Sequence, residues 1–152
     1  MYSTRVSRHV KARPSTVYRA LLDADAITLW RVPDGMTSTV HEFDGREGGA
    51  FRISLTYDVP TGTGKTSAHT DTYHGRFVEL VPDERVVEVF EFEADDPALR
   101  GEMRMTTTLT EVDGGTEVLI VHEGLPDTIP AADNETGTRM ALDNLARLVE
   151  AD

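Results

Sequence analysis

The sequence predicts an α+β domain in which a curved antiparallel sheet of about six or seven strands wraps around a long C-terminal helix. Segments with a period of two recur from about residue 37 to residue 123. Short turn signals separate these segments, and such short connections join antiparallel neighbours. After Pro126 and Pro130 the apolar period returns to about 3.6 residues, which indicates the helix. Because no linker composition divides the 152 residues, we expect a single domain over residues 1–152.

The chain is predicted to open with a strand and two short helices. Residues 2–10 alternate loosely between polar and apolar side chains and include β-branched residues, which predicts a strand. Pro14 suits the first turn of a helix, and apolar residues follow at helical spacing to a predicted end near Asp23. A further helical turn is predicted at residues 25–30.

The central part of the chain is predicted to form successive hairpins. Phe51, Ile53, Leu55 and Tyr57 alternate with polar residues and therefore share one face of a strand. The preceding segment DGREGG tolerates positive φ, so it predicts a turn between this strand and an earlier one around Val40. Further strands are predicted at residues 70–80, 85–93, 101–111 and 116–123.

The last helix is predicted to bury one apolar stripe against the sheet. Ala141, Leu145 and Leu148 repeat at spacings of four and three, with charged residues on the opposite side. We expect a helix of about 17 residues. Asp133 or Asn134 is expected to cap its first turn.

Composition excludes several classes of function. The formal net charge is −12 and the cations are dispersed, so the sequence predicts no nucleic-acid partner. No apolar run approaches the roughly 20 residues of a spanning helix, and no export signal is visible, so we expect no membrane insertion and a cytoplasmic location. Without cysteine there is no disulfide, no thiolate nucleophile and no cysteine-based metal site.

Several segments resemble one known family. They are PSTVYRAL at residues 14–21, DAITLW at residues 25–30, YHGRFVELVP at residues 73–82, and GGT with HEGLP between residues 114 and 126. Together with the element order, they resemble the helix-grip (SRPBCC, START-like) superfamily, and in particular bacterial relatives of the C-terminal domain of the heat-shock-protein-90 ATPase activator. The resemblance spans nearly the whole chain, and its motifs lie at turns and core positions.

The resemblance implies a cavity between the sheet and the last helix, which different members use for lipids, plant metabolites or polyketide intermediates. One position departs from the pattern, because Gly137 is followed by Thr138 where relatives commonly have tryptophan. The smaller side chain implies a wider cavity.

Residue type and predicted face identify a set of candidate lining residues. Aromatic rings and methionines suit an apolar ligand, and His122 or Asn144 could orient one polar group. Ordinary core packing is the alternative for each residue taken singly, since any interface between sheet and helix needs large side chains. The candidates are Trp30, Phe51, Tyr57, Tyr73, Phe77, Phe90, Met103, Met105, His122, Met140 and Asn144.

Two further patterns suggest chemistry that the sequence does not support. GTGKT at residues 62–66 is similar to part of a phosphate-binding loop, but its first glycine is missing and a strand follows it. His69 and Asp71 would share a strand face from which His74 points away, leaving too few ligands for a metal. We therefore predict no metal and no cofactor.

The sequence leaves three functions open. The first is binding or carriage of a small hydrophobic molecule, without catalysis. The second is a cyclase or dehydratase of the polyketide type with His122 as general base, although Glu123 would point to the opposite face and Asp143 lies on another element. The third, a stress-response or chaperone-associated protein, rests on the family resemblance alone. A homodimer through a sheet edge or a helix face also stays open.

Overall fold

The computed structural model describes residues 2–57, 70–94, 97–99 and 101–150. Strands and helices follow one another in the predicted order, and a short 3₁₀ turn occupies Pro97–Leu99. The elements are β1 (Tyr2–Val10), α1 (Pro14–Leu21), α2 (Ala24–Trp30), β2 (Met36–Phe43), β3 (Ala50–Tyr57), β4 (Thr70–Val81), β5 (Arg85–Phe92), β6 (Met103–Val112), β7 (Gly115–Leu125) and α3 (Ala131–Glu150).

All the strands of the described chain belong to one seven-stranded antiparallel sheet. The strands from β2 to β7 form a meander, and β1 lies at one edge of the sheet, where it pairs with β7. Helix α3 contacts β1, α1 and α2, and its apolar side chains join the core on the inner face of the sheet. This arrangement confirms the predicted α+β helix-grip fold.

The first two helices are held together at their junction. Helix α1 ends at Leu21, before the predicted end near Asp23, because Asp23 adopts an extended conformation and caps α2. Its carboxylate accepts hydrogen bonds from the backbone N–H groups of Asp25 and Ala26 at 2.9 and 3.3 Å. At the other end of α2, the Trp30 indole N–H donates to the carbonyl oxygen of Ala20 at 3.0 Å.

The structure corrects the predicted start of the last helix. Helix α3 begins at Ala131 and is 20 residues long. The backbone N–H groups of Asp133 and Asn134 donate to the carbonyl oxygen of Pro130 at 3.0 and 3.2 Å. The predicted cap at Asp133 or Asn134 is therefore wrong, and both residues lie in the first turn, where the negative charge of Asp133 suits the helix dipole.

The buried face of α3 is also wider than the predicted stripe. Leu145 is fully buried as expected, while Ala141 and Leu148 lie only partly buried at the margins. The helix contacts β1 on one side and the short helices α1 and α2 on another, so a broad arc of its surface is covered. Its most deeply buried apolar residues are Leu142, Leu145, Ala146 and Val149.

No helix in the described part of the chain has the length and apolar composition needed to cross a bilayer.

Candidate functional site

A cavity of about 350 Å³ lies between the inner face of the sheet and the N-terminal half of α3. Strands β3 to β7 supply its floor, and the end of α2 and the segment from Thr128 to Pro130 complete its rim. Several side chains predicted from different parts of the sequence meet on its wall. They are Trp30, Tyr73, Phe90, Met103, Met105 and His122.

The remaining predicted residues lie away from the cavity wall. Phe51 and Phe77 are almost fully buried in the core, where their ring centroids are 5.2 Å apart. Asn144 uses its side-chain amide to donate to the carbonyl oxygen of Val32 at 3.0 Å, so it holds the residue after α2 to α3. Tyr57 and Met140 are partly buried outside the wall. The core-packing alternative therefore describes Phe51 and Phe77.

Arg31 is a cavity residue that the sequence interpretation missed. It follows Trp30 at the end of α2, and its Nη1 donates to Oε1 of Glu88 at 2.6 Å. Both side chains are largely buried, with 12% of Arg31 and 4% of Glu88 exposed. Glu88 shares the inward face of β5 with Val86 and Phe90, so a charged residue at that position was the available signal.

The Arg31 guanidinium also lies against aromatic rings. Its central carbon is 5.5 Å from the ring centroid of Tyr73 and 5.7 Å from that of Phe51. Burial lowers the pKa of Arg31, but the charge and hydrogen bond of Glu88 together with the interaction with Tyr73 raise it by more, so the net shift is upward. The Arg31 guanidinium therefore stays charged inside the protein.

Tyr73 lies at the centre of an aromatic cluster in the cavity wall. Its ring centroid is 5.6 Å from that of Phe90 and 6.5 Å from that of Phe92. Burial raises the pKa of the Tyr73 phenol, with the charge of Glu88 acting in the same direction and Arg31 opposing it. The hydroxyl group is therefore protonated at neutral pH.

His122 contributes a buried imidazole to the same wall. Only 8% of the residue is exposed, and its ring meets that of Phe90 edge-on at 6.3 Å. Burial lowers the pKa of His122 to about 4, and the positive charge of Arg31 adds to this shift. The ring is therefore uncharged at neutral pH. Its Nδ1 atom is buried and has no hydrogen-bond partner among the described residues.

The rim of the cavity is tied to β1. The hydroxyl of Tyr2 donates to the carbonyl oxygen of Ile129, and Oγ1 of Thr4 donates to Oδ1 of Asn134 at 2.5 Å. Gly137 and Thr138 line the cavity from α3. A Cβ atom at Gly137 would meet no heavy atom within 4 Å, so space is open at this point of the helix.

The carboxylates considered as partners of His122 do not reach it. Glu123 is exposed, as the strand alternation predicts, and the exposed Asp143 accepts from Nε of Arg8 at 2.8 Å. Neither residue lies on the cavity wall. The structure therefore does not show the pairing of His122 with Glu123 or Asp143 that the cyclase alternative considered.

In the part of the chain that the structure describes, no group of three or more histidine, aspartate or glutamate side chains is placed to hold a metal ion. His74 instead contacts Glu91 and Glu93, at 3.2 and 3.0 Å. His69 and the GTGKT segment at residues 62–66 lie outside the described residues.

Comparison with solved structures shows relatives over almost the whole chain. A protein from Chromobacterium violaceum is 37% identical over 99% of this chain and 98% of its own, with a TM-score of 0.88. A protein from Rhodobacter sphaeroides is 25% identical over 98% of this chain and 92% of its own, with a TM-score of 0.81. An AHSA1-like protein from Aeromonas hydrophila shares the fold at 19% identity, covering 99% and 93% of the two chains with a TM-score of 0.73.

No protein with a curated function matches the chain. The family model described as "Activator of Hsp90 ATPase homolog 1-like protein" matches residues 11–150, which include the helices, the strands from β2 to β7 and the whole cavity wall. The chain therefore belongs to the family of Activator of Hsp90 ATPase homolog 1-like proteins.

Proposed function

We propose that this protein binds a small, largely apolar molecule in the cavity beneath α3. The observation that carries the proposal is a space of about 350 Å³ bounded by Trp30, Phe90, Met103, Met105 and Ile120. Ligand sites typically range from about 300 to 1,000 Å³ and combine an apolar wall with a few polar groups. Each Å² of apolar ligand surface that moves from water to such a wall contributes roughly 25 cal/mol to the free energy of binding.

Family membership supports the proposal, because proteins of this fold commonly bind hydrophobic ligands. The cavity wall itself is assembled from regular elements, since its methionines and aromatic residues stand on β4 to β7, apart from Trp30, which ends α2. Their rings and thioethers offer contact area at low entropic cost. We also predict that this carrier is cytoplasmic and has no nucleic-acid partner.

A cavity-filling substitution tests the proposal. Thr138 lines the cavity and is 7% exposed, whereas Thr136 on the same helix is exposed to solvent. We expect Thr138→Phe to place its ring in the cavity and Thr136→Phe to leave the cavity empty. The uncharged dye N-phenyl-1-naphthylamine, which fluoresces in apolar surroundings, serves as the probe for all three proteins.

The expected result is saturable binding to the unaltered protein, a dissociation constant at least about tenfold higher for Thr138→Phe, and a change below about twofold for Thr136→Phe. Circular dichroism and thermal melting confirm that both variants fold. Binding that is equal in both variants, or no binding to the unaltered protein, contradicts the proposal.

A further inference from the structure

One ring nitrogen of His122, Nδ1, is a buried polar atom that the described residues leave without a hydrogen bond. The residue lines the cavity and is 8% exposed. A buried polar atom without a partner costs about 1 to 3 kcal/mol relative to one that is hydrogen-bonded. A ligand that bonds to this ring would therefore recover free energy that the empty protein lacks.

The charges around the cavity decide which polar group fits. Arg31 is the cation among the described lining residues, and its guanidinium is already paired with the buried Glu88 at 2.6 Å. The carboxylates Asp71 and Asp133 also line the cavity. A ligand carboxylate would have to share Arg31 with Glu88 inside a region of low dielectric, where two like charges repel strongly.

We propose that the natural ligand carries an uncharged hydrogen-bonding group, such as a hydroxyl, on the end that lies against His122. This inference rests on the proposed binding function and narrows it to neutral, amphipathic molecules, such as alcohols and phenols. A fatty acid or another apolar carboxylate fits this wall poorly, since the positive charge of Arg31 is already balanced.

Three naphthalene derivatives of similar shape separate these ligand classes. 2-Naphthol carries a hydroxyl, 2-methylnaphthalene replaces it with a methyl group, and 2-naphthoate carries a carboxylate. Equilibrium dialysis at pH 7 measures the affinity of each compound for the unaltered protein, for His122→Phe and for Phe90→Leu. The first variant keeps a ring but removes both ring nitrogens, and the second changes an apolar neighbour of His122 while leaving both ring nitrogens in place.

We expect the unaltered protein to bind 2-naphthol about tenfold more tightly than 2-methylnaphthalene, and 2-naphthoate more weakly than both. In His122→Phe the preference for the hydroxyl should fall below about twofold, whereas Phe90→Leu should weaken 2-naphthol and 2-methylnaphthalene alike and keep their ratio.

Nitrogen NMR on the unaltered protein gives a second measurement that does not depend on a variant folding. The ¹⁵N shifts of the His122 ring should move with 2-naphthol and stay in place with 2-methylnaphthalene. Equal affinities for these two compounds, or tightest binding of 2-naphthoate, overturn the inference while leaving the binding function intact. Absence of binding by all three compounds overturns both.

Discussion

His122 is buried where its charged form is poorly solvated, so this residue should make stability depend on pH. Its pKa falls from 6.5 to about 4 on folding. Between these values the unfolded chain holds a proton that the folded protein does not, so the free energy of unfolding decreases as the pH falls. The slope for one such proton is at most about 1.4 kcal/mol per pH unit.

Urea unfolding of the unaltered protein and of His122→Phe between pH 7 and pH 4 measures this contribution. The decrease should be smaller in His122→Phe, while the exposed residue His9 supplies the matched control His9→Phe, which should keep it. The carboxylate of Glu93 affects the free energy of unfolding at lower pH, because its hydrogen bond to Arg52 helps lower its pKa from 4.5 to about 2. Parallel profiles for the unaltered protein and His122→Phe would show that His122 titrates normally.

The free energy of unfolding should fall much more when one partner of the Arg31–Glu88 pair is removed than when both are replaced. Glu88→Leu leaves a buried guanidinium without its carboxylate, which typically costs about 3 to 5 kcal/mol. The double variant Arg31→Met with Glu88→Leu replaces the pair by apolar groups of similar size, so most of the lost stability should return. Urea denaturation of the single and double variants checks this expectation.

The control for this experiment is a pair on the protein surface. Nε of Arg46 lies 2.8 Å from Oδ2 of Asp44, but the two side chains are 80% and 42% exposed. Arg46→Met should therefore change the free energy of unfolding by less than about 1 kcal/mol. A double variant at Arg31 and Glu88 that is as unstable as Glu88→Leu would contradict the assignment of the pair as mutually compensating charges.

Among the secondary-structure elements, two glycines predict opposite effects of the same substitution. In β4, a Cβ at Gly75 would overlap the carbonyl oxygen of Val89 and lie 2.8 Å from Cα of Phe90, so Gly75→Ala should destabilise by about 1 to 3 kcal/mol. In α3, a Cβ at Gly137 meets nothing within 4 Å, so Gly137→Ala should stabilise by about 0.5 to 1 kcal/mol. Chemical denaturation measures both, and a loss of stability in Gly137→Ala would show that the helix is not open at this point.

The strands and helices were predictable because each has a strong local pattern. Residues 101–111 alternate between apolar and polar side chains, and residues 85–93 are rich in valine and phenylalanine, which favour strands. The observed strands Arg85–Phe92 and Met103–Val112 differ from these predictions by one or two residues. The start and buried face of α3 were less predictable. The start depends on which carbonyl group accepts the first helical hydrogen bond, here that of Pro130, and the apolar period does not specify this local detail. The buried face depends on α1 and α2 covering a second side of the helix, which is a tertiary feature.

At the scale of the whole molecule, the site was predictable only in part. Residue type and predicted face led to Trp30, Tyr73 and His122, but the same criteria also selected Phe51 and Phe77, which fill the core. A cavity is the volume that elements leave between them, so the pattern of one element cannot distinguish a lining ring from a packed one. Arg31 escaped prediction because its partner Glu88 lies 57 positions away in the sequence.

The central claim is that an apolar molecule binds in the interior and not on the surface. Intermolecular nuclear Overhauser effects between 2-methylnaphthalene and the methyl groups of the protein test this most directly. We predict contacts from the aromatic protons to Met103, Met105 and Ile120 on the cavity wall. Contacts confined to the exposed residues Leu29 and Val78, with none to the cavity methyl groups, would contradict the claim.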